Sequence, residues 1–139
     1  MTGYELGDLG ERYIENLLKS VGLDVQPGDD GSDLLIVSSG LKLEIKAALP
    51  TRRHGRRQKW FQFCLRRYAP NGQRKTDIGL SDIVILLAYP SPESEPRLYA
   101  IPSQRLGDRK SLQIAQFGYS GQWVHYNNFD RCLVELEAI

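Results

Sequence analysis

Residues 32–46 read SDLLIVSSGLKLEIK. Two apolar alternations flank a Ser-Ser-Gly turn signal, the pattern of a β-hairpin. With the turn centred between Ser39 and Gly40, Asp33 is expected opposite Lys46, Leu35 opposite Glu44, and Val37 opposite Lys42. Side chains alternate faces along a strand, so Asp33, Glu44 and Lys46 project from one side. The other side carries Leu34, Ile36, Leu41, Leu43 and Ile45, an apolar face ready for a core. Two carboxylates at this distance repel. A hard divalent cation such as Mg²⁺ relieves the repulsion, taking one or two carboxylates and keeping its waters for a phosphate substrate. It acidifies a bound water and neutralises charge on an attacked phosphate. Lys46 can then orient or deprotonate that water, or stabilise the developing charge. The plain alternative is an exposed strand face with a cross-strand ion pair, because a single Asp followed by ExK is a short and frequent pattern.

Upstream, Thr2 and Glu5 fit a capping box that opens a helix. Leu6, Leu9, Tyr13 and Leu17, with Ile14, Leu18 and Val21, follow the spacing of a half-buried helix, and Gly22 is placed to end it. Gly7 and Gly10 lie on its early turns at a cost in helix propensity, which points to close backbone approach at a packed site. Downstream, residues 23–26, 60–66, 82–89 and 98–101 read as strands. The near-continuous apolar run DIVILLAY at 82–89 is expected to be central and buried on both faces. Residues 48–59 and 69–76 read as loops, 102–122 carry little signal, and a last helix is expected over 129–138. The order is α, several β, α: a mixed α/β chain, one domain over 1–139, with flanking helices.

Charge is distributed unevenly behind a net charge of +1. Residues 1–46 hold four basic and nine acidic side chains, residues 47–76 nine basic and no acidic, and residues 77–139 five basic and eight acidic. Such polarity suits a polyanionic partner. In TRRHGRRQKW, Arg52, Arg53, Arg56, Arg57 and Lys59 can fork onto phosphates, and Trp60 offers a surface for base stacking. The loop follows Lys46 closely, so its cations are expected beside the carboxylates.

The chain resembles the PD-(D/E)xK phosphodiesterase superfamily, the restriction-endonuclease-like and Holliday-junction-resolvase-like nucleases. The resemblance rests on Asp33 in GSDLLIV and on Glu44-Ile45-Lys46 in LKLEIKA, one hairpin apart, with GDLGERYIENLLKSVGLDV similar to the family's first helix. WFQFCLRR, DIVILLAY and RLYAIPS resemble the strands that complete its core, so the similarity spans residues 3–102. It departs at Ser32, where the motif's proline usually stands. The resemblance implies a restriction-endonuclease-like mixed sheet and Mg²⁺-dependent hydrolysis of DNA phosphodiesters, with Mn²⁺ as a substitute cation. It implies in-line attack of a metal-activated water and a 5′-phosphate product. Asp33 and Glu44 would be ligands, Lys46 the catalytic lysine, and Glu11 of the first helix a further contributor to the metal site. The residue-level alternative for Glu11 is a solvated helix glutamate favouring the N-terminal dipole. The rival readings of the whole chain are a catalytically silent nucleic-acid-binding module and a docking subunit of a nucleoprotein assembly.

No GxSxG, Walker-type loop or GxGxxG occurs, so serine-hydrolase, NTPase and dinucleotide readings lack support. His54 and His125 form no paired site. Cys64 and Cys132 are too few for a disulfide framework and suit reduced thiols in a cytoplasmic protein. The acidic N-terminus has no signal-peptide core, and no apolar run reaches the roughly 20 residues of a membrane helix. Cutting both strands of a duplex takes two active sites, so a homodimer or higher symmetric assembly is expected.

Overall fold

The computed structural model describes residues 1–28, 32–52, 58–68, 74–76, 81–107 and 109–116. Helix α1 runs over Gly3–Ser20. Its capping box is closed at both ends: the Glu5 N–H donates to Thr2 Oγ1 at 3.1 Å, and the Thr2 N–H donates to Glu5 Oε2 at 3.2 Å. At the other end the Leu23 N–H reaches Leu18 O and the Gly22 N–H reaches Lys19 O, both at 3.0 Å, with Gly22 at φ 89°. These are the paired bonds of a Schellman motif, whose left-handed residue favours glycine.

The strands are β1 (Val25–Pro27), β2 (Leu34–Ile36), β3 (Lys42–Ala48), β4 (Pro50–Arg52), β5 (Lys59–Cys64), β6 (Arg66–Tyr68), β7 (Arg74–Thr76), β8 (Ile83–Ala88), β9 (Arg97–Pro102) and β10 (Ser111–Ala115), with a short helix α2 (Ser103–Leu106) before β10. The main sheet has the order β1-β2-β3-β8-β9, in which β3 and β8 run parallel and the other neighbours antiparallel. A second sheet has the order β10-β5-β4, and β6 pairs with β7 alone.

Two cores follow from the alternation. Leu6, Ile14 and Leu18 of α1 meet Leu34, Ile36, Leu43, Ile45, Ile85 and Leu87 on one face of the main sheet. On the other face Val84, Leu86 and Ala88 meet Phe61, Phe63, Leu112 and Ile114 of the second sheet. Residues 84–88 are thus buried from both sides, as the apolar run requires. Each fully buried Leu, Ile or Phe contributes about 1.5–3 kcal/mol relative to exposure. The fold is mixed α/β as expected, with α1 over one face of the main sheet and the small second sheet over the other.

Several local expectations are corrected. The cationic loop 48–59 begins and ends as a hairpin, with Arg52 opposite Lys59 and Thr51 opposite Trp60. Residues 74–76 form a strand instead of a loop, paired with 66–68. The expected helix over 129–138 lies outside the described residues, as do Arg53, Arg56 and Arg57. Among the described residues no helix is long and apolar enough to cross a membrane.

Candidate active site

The hairpin register differs from the expected one by two residues. Leu34 pairs with Leu43 and Leu35 with Lys42, so Asp33 stands level with Glu44 and not with Lys46. The cause is the turn. Gly40 takes φ 73° and closes a four-residue loop, with Ile36 donating to Leu41 O at 2.9 Å. A shift of two preserves the faces, so Asp33, Glu44 and Lys46 still share one side.

The β2–β3 ladder stops just before the site. Asp33 N–H donates to Leu43 O at 3.0 Å, and the next N–H on that edge, Ile45, donates to Asp33 Oδ2 at 2.8 Å. Asp33 therefore ends the ladder with its own carboxylate. On the second sheet β4 pairs with β5 only from Lys59 to Phe61, which leaves residues 62–64 of β5 beyond its reach. Between these strands and α1 lies a cleft of about 450 Å³ lined by Glu11, Asp33, Glu44, Lys46, Gln62 and Cys64, with Gly3 and Gly7 on the helix side.

Glu44 is 5% exposed, so it does not sit on a solvated strand face. Its Oε1 lies 3.5 Å from the Lys46 ammonium on the same strand. This replaces the cross-strand ion pair of the plain alternative. Glu11 is half-buried at the same cleft, and its carboxyl is raised to about 7. Burial is the leading cause, followed by the charge of Asp33 and a hydrogen bond with Asp33, with Asp8 and Glu15 adding to the effect. Glu15 instead pairs with Lys19 at 2.7 Å on the outer helix surface.

Three carboxyls line one cleft, and two of them are joined carboxyl to carboxyl. A proton on Glu11 makes that contact possible, and a divalent cation would hold both groups ionised. Among the described residues no group of three or more His, Cys, Asp or Glu is placed so that it could hold a metal ion.

The glycine expectation divides. A Cβ on Gly10 would stand 3.2 Å from Ala47 Cβ, so that glycine lets α1 settle on β3. A Cβ on Gly7 would meet nothing within 4 Å, and Gly7 instead borders the cleft. Arg52 and Lys59 are exposed at the hairpin mouth. Trp60 is half-buried, and its indole N–H is buried without a hydrogen-bond partner among the described residues. Gln62 and Cys64, which the sequence does not single out as site residues, also line the cleft. Their signal was the alternation of WFQFC, which sets Gln62 and Cys64 opposite in facing to Phe61 and Phe63.

A pH effect on stability follows from Glu11. Its carboxyl ionises near 4.5 when unfolded and near 7 when folded. The folded state thus holds a proton that the unfolded state has lost, and the stability it contributes is fully present below 4.5 and gone above about 7. In EDTA, stability is expected to fall between about pH 4.5 and 7, and Glu11→Gln should flatten that fall. Denaturant titrations at each pH check it; parallel profiles for both proteins would refute the coupling.

No family model matches the sequence, and no curated protein matches it. Among solved structures the fold is similar to that of a bacterial homing endonuclease, I-Ssp6803I, with TM-score 0.69 over 99% of this chain and 97% of that chain, at 15% identity. This chain therefore shares the fold of a known nuclease.

Proposed function

We propose that the chain is a metal-dependent endodeoxyribonuclease of the PD-(D/E)xK type. The observation that carries the reading is the cleft itself, where buried Glu44 stands level with Asp33 and beside Lys46, with Glu11 facing them from α1. The fold it shares with a homing endonuclease supports DNA as the substrate.

Glu11, Asp33 and Glu44 would hold Mg²⁺ or Mn²⁺, which when bound supplies charge neutralisation at the phosphate and a more acidic water. Asp33 is held in place by the Ile45 N–H. Glu44 is fixed by burial in the central strand. Lys46 brings its ammonium to the same cleft, where it orients the attacking water or offsets charge developing on the phosphate. Attack in line on phosphorus leaves a 5′-phosphate. Two such sites cut both strands, so the reading includes a homodimer or higher symmetric assembly.

The test is cleavage of plasmid, junction and single-stranded DNA with Mg²⁺, Mn²⁺ or EDTA, together with the particle mass by light scattering. Cleavage that requires the cation supports the reading. Binding without cleavage in every cation would overturn it in favour of a silent binding module.

Arg52 and Lys59 face each other at the hairpin mouth and should supply phosphate contacts. Each phosphate neutralised contributes about −0.9 to the slope of log affinity against log salt. Replacing both residues by Ala is expected to make the slope shallower by roughly two units across unrelated DNA sequences. An unaltered slope would mean that these cations are only solvated.

A further inference from the structure

Strands β5 and β10 form an antiparallel ribbon with two different faces. Phe61, Phe63, Leu112 and Ile114 turn inward to the second core. The register sets Trp60 opposite Ala115, Gln62 opposite Gln113, and Cys64 opposite Ser111 on the outward face, and β4 adds Thr51 beside Trp60. None of these outward residues is charged, in a chain whose charged share is 25%. Gln62, Cys64 and Ser111 are exposed, and Gln113 is half-buried. The nearest charges, Arg52, Lys59 and Lys110, are exposed at the strand ends but alternate onto the other face, in register with Phe61, Phe63 and Leu65.

The arrangement continues directly into the cleft, since Gln62 and Cys64 line it. Two strands are the width that the major groove of B-DNA admits. The five paired residues extend about 17 Å, close to the rise of five base pairs. The neutral amides of Gln62 and Gln113, paired across the ribbon, match base edges. A glutamine amide offers one donor and one acceptor in the geometry that pairs with N6 and N7 of adenine.

We propose that the outward face of the β5–β10 ribbon lies in the DNA major groove and reads base edges, with Gln62 and Gln113 as the reading pair. This rests on the nuclease reading above and adds to it a sequence preference and the residues that set it.

The test selects duplexes from a randomised pool with the full-length protein in EDTA, so that binding is read apart from cleavage. The wild type is expected to enrich a defined site. Gln113→Ala should bind that site about 5- to 150-fold more weakly, the loss for one bidentate base contact, and should lose more affinity there than on a scrambled duplex. Gln113→Arg should move the preferred base at that position to guanine, a gain that a misfolded variant cannot produce. If both variants select the wild-type site with wild-type affinity, or if the wild type cuts DNA with Mg²⁺ yet enriches no site, the ribbon does not read bases and the nuclease reading stands. If the wild type neither binds nor cuts duplex DNA, both readings fall.

Discussion

Asp33→Asn and Glu44→Gln are each expected to lower Mg²⁺-dependent DNA cleavage by about three orders of magnitude, the scale set by removing one group that manages transition-state charge. The amides are chosen because they keep the local bonding. Asp33 Oδ2 accepts the Ile45 N–H at 2.8 Å, and an Asn oxygen at that place can still accept it. Alanine would strand that N–H at about 1–3 kcal/mol and confuse a folding defect with a chemical one. Lys46→Met should lose activity to a similar degree while calorimetry still records Mg²⁺ uptake, because the ammonium is no ligand. Thermal melts verify that each variant is folded. Near wild-type cleavage by either carboxamide variant would remove that residue from the metal site.

Gly10→Leu is expected to destabilise the protein by about 3 kcal/mol, lowering Tm by roughly 10 °C. The contact responsible is specific: a Cβ at this position already stands 3.2 Å from Ala47 Cβ and 3.7 Å from both Leu87 methyls. Further side-chain carbons would have to displace β3 or β8, both deeply packed. Gly10→Ala is a milder case, since the gain of about 1 kcal/mol in helix propensity offsets the crowding. Ala47 follows Lys46 directly, so lifting α1 off β3 should also depress cleavage beyond what the unfolded fraction explains. Denaturant midpoints and cleavage rates on the same preparations check this. A Leu variant as stable as the wild type would mean that α1 does not sit on β3 through Gly10.

Much of this architecture was legible because strong periodicities and turn chemistry acted together. The alternation of LKLEIKA determined which side chains share a face, and that survives any register shift by an even number of residues. The register itself was not legible. It depended on whether Gly40 opens or closes the turn, a difference in one φ angle that composition does not reveal. Strand β10 was missed because SLQIA has only Leu112 and Ile114 to mark its period, and its partner β5 lies far off in the sequence. Burial of Glu44 was likewise hidden. An acid between Leu43 and Ile45 reads as solvent-facing until a second sheet is known to cover that side.

Parallel pairing of β3 with β8 also orders events during synthesis of the chain. Every carboxylate of the cleft belongs to the first 44 residues, yet Glu44 and Lys46 are held against Val84 and Leu86, about forty residues later. A parallel pair needs a long crossover, and here the crossover carries β4, β5 and the whole acid-free cationic segment. A growing chain that has emerged only to β5 possesses all the proposed chemical groups without the neighbour that fixes them. The strand that completes the cleft arrives after the cations have emerged, so every charged group of the site exists in the growing chain before the neighbour that fixes its geometry.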